Sequence, residues 1–511
     1  MFSSVMSAAV LGMEAYPVQV EADICDGLPM FCMVGDLSPE VREAADRVRT
    51  ALRNTGIPLP PKRVTVNLSP AYIRKMGTRF DLPIAVALLA ALGIIPPEHT
   101  SGVLLAGEMG LNGRVRPVSG ILQTVMLARD LGCSWCLVPE ENALEGAAIP
   151  EVAVTGVGTL KELLGYMRDP RKGKARAQTG GGWEDLSGEY SVDFCEVNAQ
   201  EGAKRAAEIA AAGMHNLLMV GSPGAGKTMI ARRIPTILPP LTGEESLEVT
   251  RVYSACGLLN GGKGLIRVRP FRSPHHTISA NALAGGGRRI LPGEISLANR
   301  GVLFLDELPE FSRRVLETLR QPLEEGVIQI SRADGKYTFP AHFQLVAAMN
   351  PCKCGYYPDR SRCRCLPGEI RRYLGRISGP LLDRMDLCTE VPRVDYQSLV
   401  TTGENESSRV IRGRVEAAWS MQRDRYRECG WQFNAHLPAR AIREYCALGR
   451  QEERLMETAF EKLELSVRAY HRVVKTARTI ADLEGEKKIR EHHLMEALGF
   501  RMLDRKLWDG E

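Results

Sequence analysis

The pattern of apolar and polar residues changes character twice along this chain of 511 residues. Up to about residue 168, β-type stretches such as RVTVNLS and CLVPE alternate with amphipathic helical ones such as EVREAADRVRTALRNTG. The mixture predicts an α+β domain over residues 1–168. Residues 169–189 are charged, rich in glycine and without a period, which predicts an exposed linker.

A different alternation occupies residues 190–395. A helical stretch, AQEGAKRAAEIAAAG, precedes the apolar strand NLLMVG, and two more apolar strands follow in GVLFLD and FQLVAAMN. Strongly apolar strands separated by helices are typical of a parallel sheet covered on both faces. Residues 396–511 show a helical period almost throughout. The pattern therefore predicts an α/β protein with an N-terminal α+β domain, a central parallel sheet and a C-terminal helical domain.

Composition agrees with three soluble domains. Apolar residues make up 44% of the chain and charged residues 25%, as in ordinary globular proteins. A net charge of +5 identifies no partner by itself, although seven arginines lie between Arg360 and Arg384. No apolar run is long enough to span a bilayer, and the N-terminus lacks the basic region of a secretory signal. These features predict a cytoplasmic protein without a membrane partner, whose 13 cysteines are reduced.

One loop carries the spacing of a phosphate-binding P-loop. It follows the strand LLMV, precedes the helix TMIARRI, and consists of Gly221, Ser222, Pro223, Gly224, Ala225, Gly226, Lys227 and Thr228. Glycines allow backbone N–H groups to face phosphate oxygens, Lys227 reaches the β and γ phosphates, and Thr228 offers its hydroxyl to Mg²⁺. A chance match of this kind arises with odds of roughly 2% in a chain this long. The loop therefore predicts binding of ATP with Mg²⁺.

Two further strands end in polar residues that suit hydrolysis. The strand GVLFL is followed by Asp306 and Glu307, and the strand FQLVAAM by Asn350. Ligands of parallel sheets bind at the carboxyl ends of the strands, so we expect all three residues beside the phosphates. Asp306 would hold the Mg²⁺ shell, Glu307 would act as general base, and Asn350 would orient the attacking water. The alternative for the acid pair is capping of a helix.

Four cysteines follow Asn350 within a short, turn-rich segment. The pairs are Cys352 with Cys354 and Cys363 with Cys365. Two thiolate pairs separated by such a loop can close a tetrahedral site, for which zinc is the expected ion. Since all four positions would be filled, the metal would be structural. Because C-x-C is tighter than the usual C-x2-C pair, reduced surface thiols or a redox pair are the alternative.

A P-loop, an acid pair and an asparagine-tipped strand in this order, followed by a helical domain, resemble the AAA+ ATPases. The resemblance implies that Arg384, in GPLLDRMD, is the finger arginine inserted into a neighbouring subunit's site. It also implies that Arg468, in SVRAYHR, is the sensor-2 arginine of the helical lid. Either arginine could instead form an ordinary salt bridge. A finger that acts in trans requires head-to-tail contacts, which close into rings.

Longer blocks make the resemblance more specific. RPFRSPHHTISANALAGGG, PGEISLANRGVLFLDELPEF, FQLVAAMNPCKCG and ARTIADLEG are similar to the magnesium-chelatase-like AAA+ ATPases of the YifB/ComM type. This resemblance implies a hexameric ring that uses ATP to move on single-stranded or branched DNA, as a branch-migration helicase in natural transformation and recombination. The alternative is a motor that remodels proteins or inserts metal and does not act on DNA.

The basic residues of the central segment lend this implication partial support. Two segments could line the pore of a ring and grip phosphates: the predicted hairpin GVIQISRADGKYTF, with Arg332 and Lys336, and a glycine-rich insert. The insert holds Arg267, Arg269, Arg272, His275, His276, Arg288 and Arg289. A metal site at its two histidines is the weaker reading, because no acid or cysteine stands at ligand spacing nearby.

The N-terminal segment resembles the Lon-protease-like fold that precedes the ATPase in this family. Proteolysis in that fold needs a serine in a Gly-Pro-Ser-Ala-Gly-like turn and a lysine further along the chain. This sequence has Gly77-Thr-Arg-Phe-Asp81 at the first place and Ser119 where the lysine would stand. We therefore expect a non-proteolytic domain that serves ring assembly or engages DNA or a partner.

Overall fold

A computed structural model describes residues 1–178, 190–259, 264–287, 289–332, 335–393 and 405–508. The N-terminal part contains nine strands: β1 Phe2–Leu11, β2 Glu14–Cys25, β3 Met30–Val34, β4 Arg63–Ser69, β5 Val103–Leu105, β6 Glu108–Met109, β7 Val115–Arg116, β8 Trp135–Pro139 and β9 Ala153–Val157. Seven of them form one mixed sheet in the order β3-β4-β2-β1-β5-β8-β9, while β6 and β7 form a separate ribbon.

Seven helices accompany this sheet: α1 Pro39–Arg42, α2 Ala44–Asn54, α3 Asp81–Ala91, α4 Ile121–Asp130, α5 Ala143–Gly146, α6 Leu160–Arg168 and α7 Pro170–Lys174. Every residue of α3 is buried, which explains its nearly uninterrupted apolar sequence. Its first residue, Asp81, accepts hydrogen bonds from Arg47 Nε at 2.8 Å, Arg47 Nη2 at 2.9 Å and Met109 N at 3.1 Å. These donors compensate the burial of its charge.

The first residues of the predicted linker belong to the N-terminal part of the structure. Helix α7 falls within residues 169–189, and Gly173 packs so closely on Trp135 that an added Cβ would lie 2.5 Å from the indole ring. Residues 179–189 lie outside the described residues.

The central part contains a five-stranded parallel sheet in the order β11-β14-β17-β10-β18. Nine strands belong to this part: β10 Leu217–Val220, β11 Phe271–Arg272, β12 Gly285–Gly286, β13 Leu291–Pro292, β14 Val302–Leu305, β15 Val327–Arg332, β16 Gly335–Pro340, β17 Gln344–Met349 and β18 Leu387–Glu390. Strands β10, β14 and β17 are fully buried, as their apolar sequences predict. Because all five strands run parallel, their carboxyl ends meet at one edge.

Two antiparallel ribbons stand apart from this sheet. Strands β15 and β16 form the predicted hairpin, with Val327 paired to Pro340 and Arg332 to Gly335. Strands β12 and β13 form the other ribbon. The described residues of the central part also form ten α-helices: α8 Glu201–Gly213, α9 Lys227–Ala231, α10 Ile234–Ile237, α11 Gly243–Ala255, α12 Ala280–Ala284, α13 Glu294–Leu297, α14 Arg313–Glu317, α15 Arg320–Glu325, α16 Pro367–Leu374 and α17 Gly379–Leu382.

The last part is helical, with α18 Ser408–Arg425, α19 Ala439–Tyr445, α20 Arg450–Lys462, α21 Val467–Leu483 and α22 Glu491–Trp508. It shares one apolar core with α8 and with one face of the central sheet. Buried Trp419 Nε1 donates to Ala211 O at 3.0 Å, and Gln422 Nε2 donates to Ala212 O at 2.8 Å. These bonds satisfy carbonyls in the last turn of α8 and fasten the helical part to it.

The N-terminal part is joined to the central part by buried polar contacts between α4 and α11. Gln123 Nε2 donates to Arg251 O at 2.7 Å, Ser254 Oγ donates to Gln123 Oε1 at 2.8 Å, and Gly120 N donates to Ser254 O at 2.9 Å. The predicted fold class is confirmed: an α+β part, a parallel-sheet part and a helical part. Among the described residues, no helix combines the length and apolarity needed to cross a bilayer.

Candidate nucleotide site and cysteine cluster

The P-loop surrounds one end of a cavity of about 420 Å³ at the carboxyl edge of the central sheet. The cavity is lined by Pro223, Gly224, Ala225, Gly226, Lys227, Thr228, Met229, Asp306, Glu307, Met349 and Asn350. Gly221 lies against β18, since an added Cβ would lie 2.2 Å from Val391 O. Gly224 and Gly226 have φ values of +75° and +94°, which disfavour other residues. The loop's glycines thus serve its turn and its packing.

The amine of Lys227 is buried and points into the loop that would hold the phosphates. It donates to Gly221 O at 2.7 Å, Ser222 O at 2.9 Å and Asn350 Oδ1 at 3.1 Å. Burial lowers the pKa of Lys227, while the charges of Asp306 and Glu307 oppose that change. The predicted lysine and the predicted asparagine are therefore in direct contact, although 123 positions separate them.

The two predicted magnesium-site residues also meet. Thr228 Oγ1 donates to Asp306 Oδ2 at 2.7 Å. A hydroxyl beside a carboxylate at the start of α9 suits the hydrated shell of Mg²⁺, which keeps several waters and few protein ligands. Asp306 Oδ1 also accepts the backbone N–H of Glu307 at 2.9 Å, which holds its carboxylate in place.

Glu307 stands at the cavity mouth with a strained backbone. Its φ is +52°, a value that non-glycine residues rarely adopt, and its side chain is 56% exposed. His276 Nδ1 lies 3.3 Å from Glu307 Oε2. Such strain persists where the surrounding structure imposes it, commonly at functional sites. The geometry aims a carboxylate with one imidazole partner at the space beyond the phosphates.

His276 is a site residue whose role the sequence analysis missed. Strand β11 is the edge strand beside β14, so the residues that follow it arrive at the same sheet edge as Asp306. The signal was present: two adjacent histidines come shortly after Phe271 and Arg272, which form a short strand. What the pattern did not reveal is that this strand belongs to the sheet.

Arg384 and Arg468 lie near each other and not at this cavity. Arg384 forms an ion pair with Glu324, and its Nη1 donates to Pro380 O at 2.5 Å. Arg468 Nη1 lies 3.7 Å from Asp383 Oδ2, and its side chain is 68% exposed. Neither arginine lines the phosphate cavity of its own chain. Both therefore belong to a surface separate from the P-loop cavity.

The four cysteines converge as predicted. Their sulfur atoms all lie within 4.8 Å of one another, with Cys352 3.3 Å from Cys354 and 3.7 Å from Cys363. In a tetrahedral site with Zn–S bonds of about 2.3 Å, sulfurs are about 3.8 Å apart. Burial raises the pKa of Cys354, but the Tyr356 N–H and the neighbouring thiols outweigh burial and lower it. The donor set and its spacing, including Cys365, fit a zinc ion.

Part of the predicted basic surface is instead internal structure. Arg269 is 4% exposed and donates to Arg300 O at 2.7 Å and to Glu245 Oε2 at 3.0 Å. Arg272 makes two bonds to Glu294, at 2.6 and 2.8 Å. Neither is placed to grip phosphate, so that expectation was wrong for both. Exposed positions remain at Arg267, Arg289, Arg332 and Lys336, while Arg288 lies outside the described residues.

The fold and the site together define a P-loop protein of the AAA+ class: a five-stranded parallel sheet, a P-loop, an acid pair and a polar residue at the end of β17. Family comparison agrees. Residues 193–399 match the family "Magnesium chelatase, subunit ChlI", residues 20–142 match "Subunit ChlI of Mg-chelatase", and residues 405–501 match "Magnesium chelatase, subunit ChlI C-terminal".

Relatives place the chain more narrowly. It is 43% identical to competence protein ComM of Haemophilus influenzae over 98% of both chains. It is 42% identical to the uncharacterized protein YifB of Escherichia coli over 99% of this chain and 98% of that one. A weaker similarity, 25% identity over 57% of this chain, links it to the DNA replication licensing factor Mcm6 of Drosophila melanogaster. The chain belongs to the YifB/ComM-type family of magnesium-chelatase-like proteins.

Proposed function

We propose that this protein hydrolyses ATP and uses the energy to move on DNA as a ring of identical subunits. The observation that carries the proposal is the convergence of Lys227, Thr228, Asp306, Glu307 and Asn350 around one cavity of about 420 Å³. A lysine, a metal-binding pair, a carboxylate base and an amide are the parts that phosphoryl transfer to water requires.

Each residue has one task in this mechanism. Lys227 exchanges its contacts with Gly221 O and Ser222 O for oxygens of the β and γ phosphates. Thr228 and Asp306 would hold Mg²⁺, which would neutralise charge on those phosphates when bound. Glu307 accepts the proton of the attacking water, and Asn350 orients that water through its amide.

The two arginines complete the site from a neighbouring chain. Arg384 and Arg468 lie on either side of Asp383, away from the P-loop cavity of their own chain. An arginine acting in trans stabilises the charge that develops on the transferred phosphoryl group. Head-to-tail contacts of this kind close into rings, and six subunits is the number that the family resemblance implies.

The cysteine cluster holds zinc in this proposal. Four sulfur ligands leave no open position, so the ion would supply stability and no chemistry on the substrate. The segment between the two cysteine pairs is short and turn-rich, and the metal would close it.

The proposal that the protein moves on DNA is supported by the names of two relatives and by the basic residues of the two ribbons. The ComM relative is named a competence protein and the Mcm6 relative a DNA replication factor. The β15–β16 hairpin carries exposed Arg332 and Lys336, and exposed Arg289 lies between β12 and β13 of the neighbouring ribbon. Arg332 Nη2 lies 3.4 Å from Gly287 O, so the two ribbons lie side by side. Cations on adjacent loops bind a phosphate backbone without reading sequence.

The decisive experiment measures ATP turnover with and without single-stranded and branched DNA. We expect DNA to stimulate turnover, binding to weaken steeply with salt, and the Glu307→Gln variant to bind ATP without turnover. If the rate of ATP turnover is the same with and without DNA, and no salt-sensitive DNA binding is found, the result would support the alternative of a protein-remodelling or metal-chelatase motor.

A further inference from the structure

The segment that holds the four cysteines does not stand apart from the nucleotide site. It leaves the central sheet directly after Asn350 and Pro351, and Cys352 is fully buried. After the last cysteine, the chain enters α16 at Pro367. We call residues 352–374, from the first cysteine to the end of α16, the cysteine module. One end of the module therefore continues from the strand that precedes Asn350, and the other end is helix α16.

The turn between the cysteine pairs packs against the P-loop. Gly355 is buried and has a φ of +85°, and an added Cβ would lie 2.4 Å from Cδ of Pro223. Cys352 Sγ accepts the Tyr357 N–H at 3.4 Å, which ties the turn to a ligand. The P-loop residue Pro223 therefore rests on backbone whose conformation depends on the sulfur cluster.

The other end of the module contacts the asparagine. Tyr373 in α16 is 7% exposed, and the backbone N–H of Asn350 faces its hydroxyl closely enough to lower the pKa of that hydroxyl. Burial and the charge of Glu310 raise the pKa of Tyr373 to about 12, so the hydroxyl stays protonated and neutral. The module thus contacts the nucleotide site at Pro223 and at Asn350.

These two contacts assign the module a task beyond local stability. We propose that a zinc ion bound by the four cysteines positions the ATP site, with Gly355 and Tyr373 as the positioning residues that transmit metal occupancy to Pro223 and Asn350. The inference rests on the proposed ATPase function. Loss of the metal frees the turn that supports the P-loop, so ATP affinity and turnover fall together. The chain then hydrolyses ATP only while its cysteines are reduced and metallated.

The first test removes the metal from the full-length protein. We expect one zinc per chain by metal analysis. Chelation, or the Cys363→Ser variant, should weaken binding of a fluorescent ATP analogue about tenfold, with recovery after zinc is returned to the chelated wild type. Circular dichroism checks that the zinc-free chain stays folded. A folded, zinc-free chain with unchanged ATP affinity would overturn the inference.

The second test keeps the metal and breaks the contact. Gly355→Ala places a Cβ against Pro223 but leaves all four sulfurs, so we expect full zinc content with turnover about 10- to 100-fold lower. Gly430→Ala is the matched control, because that glycine also has a left-handed φ, of +73°, and an added Cβ there meets nothing within 4 Å. Wild-type ATP affinity and turnover in a zinc-loaded Gly355→Ala protein would refute the positioning role.

A third variant tests the same proposal with a smaller change, in case the Gly355→Ala protein does not fold. Tyr373→Phe keeps the buried ring and removes only the hydroxyl that faces the Asn350 N–H, so we expect lower kcat with unchanged ATP affinity and zinc content. Unchanged kcat would remove Tyr373 from the proposal. The two levels of inference fail separately: a zinc-loaded wild type without ATP turnover refutes the proposed function, whereas normal turnover in every module variant refutes only this inference.

Discussion

A subunit-mixing experiment tests whether the ATP site is shared between chains. The two perturbations are Glu307→Gln, which removes the proposed base, and Arg384→Ala, which removes the proposed finger. Loss of a finger arginine lowers turnover about 10³- to 10⁵-fold, and loss of a general base about 10²- to 10⁴-fold. Each protein alone is therefore expected to be nearly inactive.

Neither substitution should disturb folding. The Glu307 side chain is 56% exposed, and its Oε2 lies 3.3 Å from His276 Nδ1. Arg384 pairs with Glu324, and because the Arg384 side chain is only 16% exposed, we expect Arg384→Ala to lower stability by about 1 kcal/mol without preventing folding. Thermal unfolding of both variants will check that their losses of activity come from the site and not from misfolding.

Mixing the variants in equal amounts predicts a definite recovery. In a head-to-tail ring, about half of the sites keep Glu307, and about half of those face an intact Arg384, so about a quarter of the interfaces are complete. We expect the mixture to recover on the order of a quarter of wild-type turnover, provided that subunits exchange. Glu310→Gln, mixed with Arg384→Ala, is the control for a carboxylate outside the cavity. A Glu307→Gln mixture no more active than the mean of its two components would refute the shared site.

Three further predictions concern single residues. His276→Ala removes the partner of Glu307, so kcat should fall about 10- to 100-fold with ATP affinity unchanged; equal turnover would exclude a positioning role. Asp81→Asn weakens an ion pair in which Asp81 is fully buried and Arg47 is 20% exposed, so the free energy of unfolding should fall by about 1–3 kcal/mol in urea titrations. Burial raises the pKa of Asp386, but nearby His215 and the Asn216 N–H lower it to about 2 from 3.8. Its depressed folded-state pKa stabilises the fold by about 2 kcal/mol above pH 3.8, an amount lost as pH falls to 2. Asp386→Asn should flatten stability between pH 4 and 2, and an unchanged pH dependence would contradict this assignment.

The convergence of the candidate site's residues was predictable because they sit at fixed offsets from buried strands. Strands β10, β14 and β17 are apolar and uninterrupted, so the ends of the strands could be located in the sequence. In a parallel sheet those ends share one edge. The contacts of Lys227 with Asn350, and of Thr228 with Asp306, follow from this rule.

The basic residues were less predictable for an equally physical reason. Arg269 and Arg272 look the same in sequence as the exposed Arg289, yet the first is buried beside Glu245 and the second is paired to Glu294. Burial of an arginine depends on an acid that arrives from another element. Local sequence carries no record of that partner.

By itself, the sequence determined the order of elements, the P-loop, the acid pair, the four-cysteine cluster and the family, because each depends on spacing within a single segment. The tertiary structure decided which segments touch. It placed His276 beside Glu307 by adding the two-residue strand β11 to the sheet edge, and it packed Gly355 against Pro223. Contacts of this kind depend on the strand order β11-β14-β17-β10-β18 and on close packing, which are properties of the whole fold.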